Sequence, residues 1–493
     1  MTQIHFAEAD DMQVYSTKVL GLGLLVALTM LILQILHEQE SSCYAAERPN
    51  VLFIPIDDMN DWVTHLGGHP QSVTPHLDRL AARGVSFTNA HCAVPSCNPS
   101  RTALLSGLRP STTGVYLNSH PWRPVLPKVI TLPRHFKNNG YFCAGFGKVY
   151  HGRYADPSDW HIWGSAPGDE RRSSKEKHLT NGGVGGIRFG PLANSDEEMI
   201  DHINVTRAIE QLNRKHGKPF FIACGLIKPH MAFSVPKQYF SRFPLESIKL
   251  PNAPKDDLDD LPAAGLKMAR PDGDHAKIIK SGRWKEAVQA YLATIHFADA
   301  QLGRLLDALD ASPYKDNTII CLWSDHGWHL GEKQHWRKFA LWEEATRAPM
   351  IWVVPGVTPT ESRCDRPVDY MNIYPTLNDL CDLNAPKNPN GQQLEGVTIR
   401  TLLADADAPW TRPAVTTYGR NNHSVRSQEY RYIRYADGGE ELYDHRNDPE
   451  EFNNLAKQVN MTEVKKELAR WLPKQNAPDA PRDKTLTKKP TRK

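Results

Sequence analysis

The sequence predicts an α/β protein that ends in a small antiparallel sheet, and three observations carry this reading. Apolar runs of strand length stand at 50–56, 220–226 and 318–323, and polar or charged residues follow each of them, as expected of strands buried on both faces. Between the second and third runs, Tyr291, Ile295, Ala298, Leu302, Leu305 and Leu309 recur at three-to-four spacing. That spacing describes a helix with one apolar face, which covers a sheet rather than lining a site. Near the C-terminus Tyr430-Arg431-Tyr432-Ile433-Arg434-Tyr435 alternates with period two, and Asp437-Gly438-Gly439 supplies a hairpin turn before Glu441-Leu442-Tyr443-Asp444.

The chain has 493 residues, 40% hydrophobic and 23% charged, a composition that excludes disordered and collagen-like classes. Residues 19–36 form an apolar run broken only by glycines, Thr29 and Gln34, preceded by Lys18 and followed by Ser41-Ser42-Cys43-Tyr44-Ala45-Ala46. This reads as a signal peptide cleaved near Ala45 or Ala46, or as an uncleaved N-terminal anchor, with Met12 as the expected initiator. Glu40 stands where a lipoprotein box needs an apolar residue, so lipidation is not expected. The expected product is exported, periplasmic or extracellular, and meets a membrane only if the leader stays attached. The leader holds five acidic residues against one lysine, so its loss would raise the formal net charge from +3 to +7.

Four segments follow: a leader at 1–46, a catalytic domain at 47–385, a small subdomain at 386–475 after the break at Pro386, Pro389 and Gly391, and a basic disordered tail at 476–493. No nucleic-acid partner is expected. Eight cysteines lack metal-type spacing, and one or two disulfides are open to an exported chain.

The first apolar run ends in Asp57-Asp58 and the third in Ser324-Asp325-His326-Gly327. Open α/β sheets place their sites at such strand ends, where four ligands can gather around one cation; the competing reading is a pair of capped turns. Cys97-Asn98-Pro99-Ser100-Arg101 precedes Thr102-Ala103-Leu104-Leu105-Ser106-Gly107. With Pro99 as the first helical residue, Cys97 would lie beside unpaired helix N–H groups that favour an anion. A buried structural cysteine is the alternative.

Cys97-x-Pro99-Ser100-Arg101 with its following helix resembles the sulfatase signature, and the resemblance runs over nearly all of the chain after residue 48. It is closest to the iduronate-2-sulfatase branch through Lys148-Val149-Tyr150-His151, Lys228-Pro229-His230, His326-Gly327-Trp328 and Trp336-Arg337-Lys338. The resemblance implies an alkaline phosphatase-like fold, a large mixed sheet sandwiched by helices. It also implies formylglycine made from Cys97 by a maturation enzyme, and one divalent cation, calcium, on Asp57, Asp58, Asp325, His326 and the side chain at 97. Arg101 would stabilise the nucleophile together with the metal. Lys148 and Lys338 would hold the sulfate, His151 would act on the formylglycine hydroxyl, and His230 would protonate the leaving group.

Trp328 and His335 are read either as sugar contacts or as loop packing. The implied activity is hydrolysis of a sulfated carbohydrate, a 2-O-sulfated uronate above others. Other polysaccharide sulfates, phosphate or phosphonate esters, and a non-catalytic carbohydrate binder are the competing readings. The stretches 174–194 and 251–283, which would read the rest of the substrate, carry no motif that extends the resemblance.

Overall fold

The computed structural model describes residues 48–164, 176–180 and 182–483, so the leader and the last ten residues lie outside it. The apolar runs become neighbouring strands of one sheet: β1 (Asn50–Ile56), β2 (Val85–Phe87), β3 (Phe142–Gly147), β4 (Ile162–Trp163), β5 (Phe220–Gly225), β6 (Thr318–Ser324), β7 (Met350–Val353) and β8 (Ser362–Cys364). Their order is β8-β2-β7-β6-β1-β5-β3-β4. β7 runs antiparallel to both of its neighbours and the other pairs are parallel, which makes the sheet mixed.

β1 sends Leu52, Ile54 and Ile56 to one face and Val51 and Phe53 to the other, which is why its sequence is apolar without alternation. The first face is covered by α2 (Ile200–Leu212) and α3 (Trp284–Asp310), the second by α1 (Cys97–Ser106) and α4 (Ile373–Leu380). Helix α3 contains the predicted 287–309. Burying a Leu or Ile side chain of this kind contributes about 2 kcal/mol.

The small sheet is an antiparallel meander of β9 (Ala414–Thr417), β10 (His423–Arg426), β11 (Tyr430–Arg434) and β12 (Glu440–Asp444). Gly438, at φ +87°, makes its predicted turn. Ile399, Leu402 and Leu403 still pack into the core behind the large sheet. A buried ion network ties the small sheet to the larger body: Arg431 contacts Glu343 and Glu451, and its guanidinium donates to the Leu341 carbonyl at 3.1 Å.

Two expectations are corrected. The start of the predicted tail packs on the body, with Ala477, Ala480 and Asp483 donating to the carbonyls of Ser111, Gly114 and Ser119. Among the described residues Cys92, Cys97, Cys143, Cys224, Cys321 and Cys364 are free thiols, so the disulfides considered above do not form through them. Among the described residues no helix is long and apolar enough to cross a membrane.

Candidate active site

Ile56 pairs with Ser324 in the parallel register of β1 and β6, so both strands end at one level and deliver Asp57, Asp58, Asp325 and His326 to one place. The Asp325 N–H extends the ladder to the Ile56 carbonyl at 3.0 Å, and the Asp58 N–H donates to Asp325 Oδ1 at 3.0 Å. Asp58 sits at φ +62°, a left-handed conformation uncommon for a non-glycine residue. The Tyr291 hydroxyl of α3 holds it by donating to its carbonyl at 2.7 Å. The register of β3 on β5 likewise sets Gly147 beside Gly225. Gly147 has φ +67°, and a Cβ there would lie 2.0 Å from the Gly225 carbonyl oxygen, so only glycine lets the chain turn to present Lys148.

Cys97 is the first residue of α1, two positions earlier than predicted; Pro99 is the third, because the Ser100 N–H already closes a turn on the Ser96 carbonyl at 3.0 Å. The expected neighbourhood of the helix start is thereby kept. Asn118, not foreseen, caps this end by accepting from the Asn98 N–H at 2.8 Å.

Lys338 Nζ lies 2.6 Å from Asp58 Oδ1 and 2.9 Å from Cys97 Sγ. His326 Nε2 lies 3.4 Å from Cys97 Sγ and 3.4 Å from Asp58 Oδ1. Lys148 Nζ pairs with Asp57, and His151 adds a smaller lowering effect on the Cys97 thiol to that of the lysines. His230, one third exposed, sets Nε2 3.7 Å from Asp58 Oδ2, at the outer side of an otherwise buried cluster. Arg101 stands behind the carboxylates: Nε donates to Asp325 at 2.9 Å, and the terminal nitrogens reach Asp57 and the Ile56, Lys148 and Val149 carbonyls.

Asp57, Asp58, Cys97, Asp325 and His326 are fully buried, so their charges are set by one another. Burial raises the Cys97 thiol, but Lys148, Lys338 and His326 outweigh it and hold the thiol well below the usual range. Burial, the largest cause in each case, pushes up Cys92, Cys143, Cys224, Cys321 and Cys364, so Cys97 does not behave as a structural hydrophobe. Asp57 is held down against burial chiefly by Lys148. Asp325 is raised to about 7 by burial, which prevails over Arg101 and His326. His326 is raised to about 9 because Asp325 overrides its burial.

Three observations fit these residues to a hard divalent cation. One ligand atom from each of Asp57, Cys97, Asp325 and His326 lies within 4.8 Å of the others, as do those of Asp57, Asp58, Cys97 and His230. Asp58 Oδ2 is buried without a hydrogen-bond partner, a costly condition that a cation would relieve. His326 Nδ1 lies 3.0 Å from the Gly327 carbonyl, which makes Nδ1 the donor and turns Nε2 inward as a ligand atom.

Trp328 and His335, read from the sequence either as sugar contacts or as loop packing, are both held by packing. Trp328 is buried, edge-on to Phe233, with Lys338 Nζ 5.4 Å from its ring. His335 is buried between the Ala269 and Lys338 carbonyls at 2.9 and 2.8 Å. Both belong to packing that fixes the Lys338 loop. Sequence reading passed over Asp201 of α2, whose carboxylate accepts from the Ile227 and Lys228 N–H groups at 2.8 Å and so holds the loop that presents His230. Nothing in its local sequence announces this role.

The sulfatase family model matches residues 49–383, and that for the C-terminal region of N-sulphoglucosamine sulphohydrolase matches residues 331–477. A sulfatase of Formosa agariphila is 41% identical over 454 residues, 87% of this chain and 87% of its own. Human iduronate 2-sulfatase is 31% identical over 381 residues, 72% of this chain and 67% of its own. A delta 4,5-hexuronate-2-O-sulfatase of Bacteroides thetaiotaomicron is 27% identical over 447 residues, 86% of this chain and 88% of its own. In three dimensions a phosphonate monoester hydrolase of Agrobacterium radiobacter matches with TM-score 0.71 at 22% identity, over 86% of this chain and 94% of its own, a likeness of the alkaline phosphatase-like fold. The chain therefore belongs to the sulfatase family and is a sulfuric ester hydrolase.

Proposed function

We propose that this enzyme removes 2-O-sulfate from a uronate unit of a sulfated saccharide, outside the cytoplasm, after a maturation enzyme has converted Cys97 to formylglycine. The observation that carries the reading is the pairing of Cys97 Sγ with Lys338 Nζ at 2.9 Å inside a buried carboxylate and imidazole cluster. Among the relatives, one is named for iduronate 2-sulfate and another for hexuronate 2-O-sulfate, which favours this sugar position over others.

When formed, the formylglycine hydrate supplies the nucleophilic hydroxyl that a thiol lacks. When bound, the cation, calcium in this reading, supplies positive charge beside it, held by Asp57, Asp58, Asp325, His326 and the side chain at 97. Lys148 and Lys338 bind the sulfuryl oxygens, where negative charge grows as the ester bond breaks. His151 orients or deprotonates the group at position 97, and His230, on the open side, gives its Nε2 proton to the departing sugar oxygen. Arg101 is a positioning residue: it fixes Asp57 and Asp325 so that both face the same point.

Sulfate release from defined saccharides tests the proposal. A 2-O-sulfated uronate should be turned over, and peptide mass analysis of the native protein should show formylglycine at position 97. Activity confined to sugars without a 2-O-sulfate and a carboxylate would refute the substrate. Preference for phosphate or phosphonate esters in paired assays would refute the substrate class proposed here, and saccharide binding without any turnover would favour the non-catalytic reading.

A further inference from the structure

A cavity of about 610 Å³ lies between the 263–277 segment, the Lys338 loop and the small sheet, a size within the range of small-ligand sites. Lys267, Arg270 and Lys277 border it, all three exposed. None of them has a carboxylate partner among the described residues, since the nearby Asp274 is taken by Arg337 at 2.7 Å and Asp437 accepts from the Gly439 N–H at 2.9 Å. The wall on the catalytic side is aromatic: the Phe339 and Tyr418 rings lie 5.9 Å apart at 31°. Phe339 lines the cavity next in the chain to Lys338, and its ring lies 5.8 Å from the Lys338 Nζ that touches Cys97. Arg337 and Phe339 have φ of +84° and +74°. Such strained backbone persists where the fold over-determines it, and here it turns Lys338 inward while its two neighbours line the cavity.

We propose that this cavity is a second saccharide subsite, which holds a neighbouring sugar that bears its own carboxylate or sulfate while the first sugar is desulfated. Aromatic faces suit the apolar face of a pyranose ring, and three unpaired cations suit an anionic substituent. The inference rests on the saccharide reading above and adds that an anionic oligosaccharide, not a lone sugar, is the preferred substrate.

The test uses full-length matured enzyme and three probes: 4-nitrophenyl sulfate, a 2-O-sulfated uronate monosaccharide, and a disaccharide in which that uronate is joined to a second sulfated sugar. The wild type should favour the disaccharide over the monosaccharide by about tenfold in kcat/KM. A Lys267→Gln/Arg270→Gln/Lys277→Gln variant should lose that preference through KM, lose the salt dependence of disaccharide binding in calorimetry, and keep wild-type turnover of 4-nitrophenyl sulfate. Equal preference ratios in wild type and variant would overturn the inference. If neither saccharide is hydrolysed while the aryl ester is, the substrate proposal fails separately, and calorimetry with the disaccharide still decides the cavity: binding lost in the triple variant sustains it, unchanged or absent binding in both proteins overturns it.

Discussion

Replacing Lys338 with methionine keeps the length and most of the packing of the side chain while removing its charge. Burial works against the Lys338 ammonium, but Asp58, then Cys97, Asp57 and Asp325, outweigh it and keep it protonated well above the usual lysine range. Its loss would leave Asp58 Oδ1 without its 2.6 Å partner, on a carboxylate whose Oδ2 already lacks one. Breaking a buried ion pair from one side costs about 3–5 kcal/mol of stability. Removing one preorganised donor to charge that develops in the transition state costs about 10²–10³ in kcat. Lys338→Met should therefore unfold at lower denaturant concentration and release sulfate at about a hundredth of the wild-type kcat or less. Lys338→Arg, which retains charge but not the compact ammonium, should fall between the two. A Lys338→Met enzyme with kcat within about threefold of wild type and an unchanged unfolding midpoint would refute the reasoning, because one charge cannot be both indispensable to the cluster and dispensable in it.

Asp57→Asn or Asp325→Asn should release the bound cation, read by elemental analysis, and abolish turnover; stoichiometric metal with normal turnover would contradict the ligand set. Asp201→Ala frees the Ile227 and Lys228 N–H groups. It should lower kcat for substrates with poor leaving groups more than for 4-nitrophenyl sulfate, since it is His230 that is displaced, and an equal loss on both would point to general destabilisation. Asp299, raised to about 7 by burial, accepts from the His76 and Leu77 N–H groups. Its folded-state affinity for a proton exceeds that of the unfolded chain, so its contribution to stability is complete below about pH 4 and is lost as pH rises through about 7. Asp299→Asn should remove that part of the decline, seen as a smaller difference between denaturation midpoints at pH 5 and pH 8; an unaltered difference would show that Asp299 does not titrate there. Arg431→Met, which takes from buried Glu343 and Glu451 the cation they share and leaves only Arg347 and Arg426 beside the first and His445 beside the second, should destabilise the protein by about 3 kcal/mol, and unchanged denaturation would mean the network adds nothing.

What the sequence determined by itself is what local pattern can carry. Hydrophobic runs without alternation marked β1 and β6 as buried strands and placed Asp57, Asp58, Asp325 and His326 at their ends. The period-two run and Asp437-Gly438-Gly439 marked the β11–β12 hairpin. The residues around Cys97 carried the resemblance to the sulfatase signature, and helix-like spacing marked the apolar face of α3.

The tertiary structure decided everything that depends on which distant segments meet. Only the parallel register of Ile56 with Ser324 puts the two acidic strand ends at one level. Tyr291 reads as core from its spacing and is core, yet its hydroxyl reaches across 233 residues to the Asp58 carbonyl. Asp201 lies on a helix whose sequence gives no reason to single it out until the fold brings the Lys228 loop over it. Trp328 looks like a contact for a sugar and is packing, because exposure belongs to the folded surface and not to residue type. Segment 251–283, in which the sequence offered no motif to read, supplies the cations of the cavity, since a charge pattern spread over exposed helices becomes a binding surface only when a second element, here the small sheet, closes the other side.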